Sequence, residues 1–161
     1  MRNSVMLSDR KYQERFDWLL ARLRLATAVT PDLVSDVFSG ACIRLRVFRK
    51  LGMTARIDKL IEAAAWSDLA LALIEIELPA WTLRRLVYDD GEWFCSLSRQ
   101  PNLPVELDDT ADARHGVLAL AILGAFVEAR RRSSVARETG SPTVPQVRPA
   151  IANAVCCDNF A

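Results

Sequence analysis

Trp81-Thr82-Leu83-Arg84-Arg85-Leu86-Val87-Tyr88, then Asp89-Asp90-Gly91, then Glu92-Trp93-Phe94-Cys95-Ser96-Leu97-Ser98, is the stretch that decides the fold class. Two runs rich in aromatic and aliphatic residues flank a turn sequence whose glycine supplies a positive φ, and this predicts a β-hairpin near 81–98. A lone hairpin is marginal in water, so one of its faces must rest on other elements. Trp81, Leu83, Tyr88, Trp93, Cys95 and Leu97 are the candidates for that contact.

Upstream, the chain reads as helix. Tyr12, Phe16, Leu19, Leu20 and Leu23 recur at helical spacing, and Ser8 or Asp9 can cap a first helix over about 9–28. Thr30-Pro31-Asp32 opens a second, with threonine as cap, proline in the first turn and an acid behind it. Leu33, Val34, Val37, Phe38, Ala41, Cys42, Leu45 and Phe48 carry its periodicity as one helix up to Gly52. Ile43-Arg44-Leu45-Arg46-Val47 alternates like a strand, but the longer helical pattern outweighs it. Thr54 can cap a third helix, and Trp66-Ser67-Asp68 reads as either its continuation or a break with a new cap at Ser67. The piece over 69–78 is apolar nearly all round, which predicts the most buried helix, and Pro79 stops it.

Downstream of the hairpin, Pro101 and Pro104 mark a loop. A last helix is expected over about 111–132, capped by Asp108, Asp109 or Thr110. Val117, Leu118, Ala121, Ile122, Ala125 and Phe126 would form its buried stripe, and Arg130-Arg131-Arg132 would favour its C-terminal dipole. Gly116 and Gly124 cost helix propensity, which close packing on a neighbour would explain. From Ser133 the apolar periodicity ends and Pro142, Pro145 and Pro149 recur, so 133–161 is expected as a flexible tail. The fold class is therefore α+β: one mainly helical domain over 1–132, with an antiparallel hairpin packed on the third and last helices.

Composition narrows the function classes. The 161 residues are 51% hydrophobic and 25% charged, proportions of a globular chain with a core. With lysine only at 11, 50 and 59, 18 of the 21 basic residues are arginine, yet 20 acids leave a formal net charge of +1. No global field advertises nucleic acid or an anionic membrane. The opening residues are polar where a signal peptide would be apolar, and the longest apolar run, 117–127, falls well short of the roughly 20 residues of a membrane span. Cys42, Cys95, Cys156 and Cys157 have no regular spacing, which reads as reduced thiols and a cytoplasmic location.

Candidate chemistry is sparse. On a last helix extended back to Asp108, the spacing of Asp108, Asp112 and His115 would place all three on one face, adequate for a divalent metal and a metal-dependent enzyme. Capping and dipole effects explain the same acids without a metal. Cys95 could meet His115 as a nucleophile and base, but a buried core thiol is the commoner state. Glu75 and Glu77 point apart on a helix, and one of them is expected to pair with Arg84 or Arg85. Arg44, Arg46, Arg49, Lys50 and Arg56, with Lys59, form a basic face over 44–59. Two helices joined by Leu51-Gly52-Met53 there suggest helix-turn-helix DNA binding, against which the net charge speaks. No glycine-rich phosphate loop is present and no cofactor is implied.

Leu78-Pro79-Ala80-Trp81 running through the hairpin to Trp93, together with Cys95-Ser96-Leu97-Ser98-Arg99 and Ala119-Leu120-Ala121-Ile122-Leu123, resembles a group of small bacterial proteins. The resemblance covers roughly 54–132 and implies a helix–hairpin–helix unit in a bacterial protein. It implies no activity and carries over no site residue. Four tryptophans and ample apolar surface without convergent polar chemistry favour a non-enzymatic interaction or regulatory protein. It would bind a protein partner, or another copy of itself through a hairpin edge. A nucleic-acid-binding regulator is the alternative, then the metal-dependent enzyme.

Overall fold

Thr30 shows how local chemistry sets the first boundary: its hydroxyl accepts from the amide of Leu33, and Pro31 opens the helix behind it. The computed structural model of the chain describes residues 2–138, with side chains from 10 to 134. Six helices occur among them: α1 (Arg2–Leu25), α2 (Pro31–Ala41), α3 (Ile43–Lys50), α4 (Ala55–Glu62), α5 (Trp66–Glu77) and α6 (Leu118–Glu138). The strands are β1 (Thr82–Asp89), β2 (Glu92–Ser98) and β3 (Ala111–His115), with a short 3-10 turn at Val105–Leu107. The fold is α+β and mainly helical. No helix among the described residues is long and apolar enough to cross a membrane.

The expected hairpin is present. Asp89 pairs with Glu92 across Asp90 (φ 51°) and Gly91 (φ 84°), a two-residue turn with both central residues left-handed. It belongs to a three-stranded antiparallel sheet of order β1-β2-β3. The additional strand lies where the last helix was expected to begin. Ala111, Ala113 and His115 alternate in burial with the exposed Asp112 and Arg114, so the segment has a strand period. Helix α6 starts only at Leu118.

The sheet rests chiefly on α6, against which α1 and α5 also pack. Cys95, Leu97 and Ala111 are fully buried on the helix side, with Leu86, Trp93 and Ala113 packed beside them. Trp81 is buried as expected, whereas Leu83 and Tyr88 are substantially exposed. A bulge between Leu83 and Arg85 disrupts the simple alternation. Gly124 has the reason anticipated for it. A Cβ there would lie 2.9 Å from the Cβ of Ala113, so its absence lets α6 approach β3. Gly116 has no such neighbour.

The single helix expected up to Gly52 is broken. Cys42 is extended (φ −107°, ψ 93°) and separates α2 from α3. Three distant or flanking side chains satisfy the backbone groups that the break frees. The Glu77 carboxylate accepts from the amides of Ile43 (3.1 Å) and Leu45 (2.7 Å). Arg46 donates to the carbonyl of Ser39, and Arg130 Nε donates to that of Ala41 at 2.8 Å. Glu77 thus acts as the missing N-cap of α3. It does not pair with the hairpin arginines, and Glu75 instead meets Arg56.

Other boundaries also shift. Helix α1 begins well before Ser8 and Asp9, so neither caps it. The break before α5 passes through Ala64 in the left-handed region (φ 50°), and Ala65 rather than Ser67 occupies the cap position. Helix α6 continues past the expected tail boundary to Glu138. The rest of the expected tail, including Cys156 and Cys157, lies outside the described residues.

Candidate functional site

Because α1 and β3 both pack on α6, a groove of about 490 Å3 opens between them. Its lining comes from Leu120, Gly124 and Glu128 on α6, Leu20, Leu23 and Arg24 on α1, and Asp112 to His115 on β3. The α6 residues recur every fourth position, which places them on one face of that helix. Along the groove runs the outer edge of β3, since β3 pairs only with β2 in the sheet. A strand edge carries backbone donors and acceptors with no ladder partner.

The charges around the groove are organised at one end. Glu128 accepts from Arg131 Nη2 (2.8 Å) and Arg132 Nε (3.0 Å); these arginines also pair with Asp17 and Asp109. Burial raises the pKa of Glu128, but the two guanidiniums outweigh it and hold the carboxyl below its ordinary value. Arg114 lies over the Phe94 ring at 4.8 Å, with Arg85 on the same ring at 5.9 Å. Arg24 and Arg114 make no ion pair among the described residues. The groove therefore offers an apolar floor, a strand edge and two guanidiniums that make no ion pair among the described residues.

The expected metal trio does not share a helical face. Asp112 and His115 lie three apart on a strand and so project to opposite faces of the sheet. His115 Nδ1 accepts from the amide of Val117 at 2.9 Å, closing the turn into α6. Thr110 donates to Asp112 at 3.0 Å. Asp108 precedes the strand, where its Oδ2 accepts from Ser98 Oγ at 2.6 Å and from Arg84. The Ser98 bond first, then Arg84, holds its carboxyl below the usual carboxylate range. Asp108 therefore fastens the 99–110 loop to the sheet. Among the described residues, no three histidine, cysteine or acidic side chains are grouped to hold a metal.

The basic face is largely engaged with neighbouring elements. Arg44 donates to the carbonyl of Ile76 (3.4 Å), Arg46 to Ser39, Arg49 lies over Phe38 (5.9 Å) and Arg56 pairs with Glu75 (3.1 Å). Lys50 is exposed at the end of α3. Helices α3 and α4 both rest on α5, so the Leu51-Gly52-Met53 joint does not assemble a helix-turn-helix pair packed chiefly on itself. Cys95 is fully buried opposite Ala113. Desolvation, reinforced by Asp112, pushes its thiol up to about 12, which disfavours the thiolate a nucleophile needs.

Sequence reading did not find the groove. Its walls are segments about 90 residues apart in the chain, and they meet only through α6. The one available signal was the small–polar alternation of Ala111-Asp112-Ala113-Arg114-His115. Comparison with protein-family models, curated protein sequences and solved structures finds no match for this chain.

Proposed function

We propose that this chain is a non-enzymatic interaction protein that takes an extended segment of a protein partner along the free edge of β3. The observation that carries the reading is the position of that edge. It borders a groove of ligand size rather than lying under another element. Strand addition would supply main-chain hydrogen bonds, while the apolar floor and alternate side-chain positions would supply selectivity. The buried, protonated thiol of Cys95 supports a binding role over nucleophilic catalysis. The free thiols of Cys42 and Cys95 suit the reducing cytoplasm.

Selection from a library of random linear peptides on the immobilised protein tests this. Enriched peptides should lose about tenfold or more in affinity for an Arg24→Glu/Arg114→Glu double variant, each charge contact contributing about 1.5 kcal/mol or more. Failure to enrich any peptide, or equal binding to the variant, contradicts it. The edge of β1, beside exposed Leu83 and Tyr88, supports a second occupant: another copy of the chain. Light scattering at micromolar concentration should then show dimers, and a strictly monomeric particle removes self-association.

A further inference from the structure

Helix α3 turns an apolar ridge away from the core. Leu45 is buried against the other elements, whereas Ile43, Val47 and Leu51 recur every fourth residue on the opposite side. These three are 49%, 52% and 64% exposed, and Met53, just past the Gly52 turn, is 66% exposed. At 3.6 residues per turn, Arg46 and Lys50 fall along one side of the ridge and Arg44 along the other. A strip of aliphatic side chains thus runs between two borders of cations.

The contacts these cations make leave their charge in place. Arg44 and Arg46 donate to the carbonyls of Ile76 and Ser39, and Arg49 lies over the Phe38 ring. All three partners are uncharged. Helix α3 contains no acid, and the carboxylate bonded to it is that of Glu77, buried on the amides of Ile43 and Leu45. Four cations less one carboxylate leave three positive charges on this short helix. Helix α4 beside it carries two cations and two acids, so the excess belongs to α3. The net charge of +1 conceals this local field. Nucleic acid would meet the cations but press its phosphates on the aliphatic strip. A stable protein interface draws on about 20–30 residues a side, far more than this ridge supplies. A fluid bilayer has no such minimum: aliphatic side chains enter the acyl boundary while the flanking cations meet anionic headgroups. We infer that the α3 ridge docks the chain reversibly on an anionic lipid surface, with Ile43, Val47, Leu51 and Met53 inserted and Arg44, Arg46 and Lys50 at the headgroups.

This surface is separate from the β3 groove, and its test is independent of it. The full chain would be sedimented with vesicles of equal parts phosphatidylcholine and phosphatidylserine, and with vesicles of phosphatidylcholine alone. It should bind the mixed vesicles saturably, more weakly as salt is raised, and stay in the supernatant with the neutral ones. Lys50→Glu and the Val47→Ser/Leu51→Ser double variant should each weaken binding about tenfold. All three positions are exposed, so cooperative melting should survive in both variants. Lys11→Glu makes the same charge change on exposed α1 and should alter binding by less than about twofold. No binding to the mixed vesicles, equal binding to the neutral ones, or a loss as large for Lys11→Glu as for Lys50→Glu would each overturn the assignment. So would ridge-dependent binding to duplex DNA or to poly-glutamate in place of vesicles.

Discussion

Glu77 shows most clearly how one residue determines architecture in this protein. Its carboxylate is buried, bonds two amides of α3, and replaces a cap that Cys42 cannot provide. Charge-assisted bonds of this kind contribute about 1.5–3 kcal/mol each, and stranding the amides adds a desolvation cost. Glu77→Ala should therefore lower stability by about 2–4 kcal/mol in urea unfolding, and Glu77→Gln by less. A loss under about 0.5 kcal/mol for the alanine variant would show that the cap is dispensable. The core thiols make a second residue-scale case. Burial, with the Glu77 charge beside it, raises Cys42 far above its ordinary value, while Cys95 rises from 9.0 to about 12. The folded chain thus keeps its Cys95 proton where the unfolded chain has lost it. This contribution to stability is intact below pH 9.0 and declines as pH climbs toward about 12. At pH 8, alkylation mapped by mass spectrometry should leave Cys42 and Cys95 unmodified; reaction at the rate of an unfolded peptide would contradict their burial.

At the scale of elements, legibility followed how local the determining interactions are. The hairpin was readable because Asp90-Gly91 sets its own turn, and α2 because Thr30 and Pro31 set its own start. The break at Cys42 was not, since the groups stabilising it include Glu77 and Arg130, far along the chain. Strand β3 was hidden by alanine, a poor strand former, and by the acids at 108, 109 and 112, which mimic a helix start. That error also produced the metal trio, whose common face exists only on a helix. Gly124 gives an element-scale test of the corrected arrangement. In an exposed helix Gly→Ala gains about 1 kcal/mol, but here the new Cβ meets the rigid Cβ of Ala113 at 2.9 Å. Gly124→Ala should instead lower stability by about 1–2 kcal/mol, and adding Ala113→Gly should recover much of the loss. A Gly124→Ala variant more stable than the parent would mean that α6 and β3 do not approach so closely.

Across the whole molecule, α6 organises the rest: β2 and β3 lie against it, as do α1 and α5, and its buried run extends through 119–130. Several charged groups proposed from sequence as chemistry turn out to fasten these pieces together: Arg46 and Glu77 hold the α2–α3 break, and Asp108 holds the 99–110 loop. Arg130, expected only to favour the helix dipole, also holds that break, and Arg131 and Arg132 join α6 to Asp17 and Asp109. The strand edge remains open because α1 and β3 pack on α6 rather than on each other. Hydrogen exchange resolved to single amides, with and without a peptide selected on the protein, measures strand addition there directly. With peptide at about 100 times its Kd, outward-facing amides within Ala111–His115 should exchange about 100-fold more slowly. Protection confined to other segments, with these amides unchanged, would contradict docking along β3.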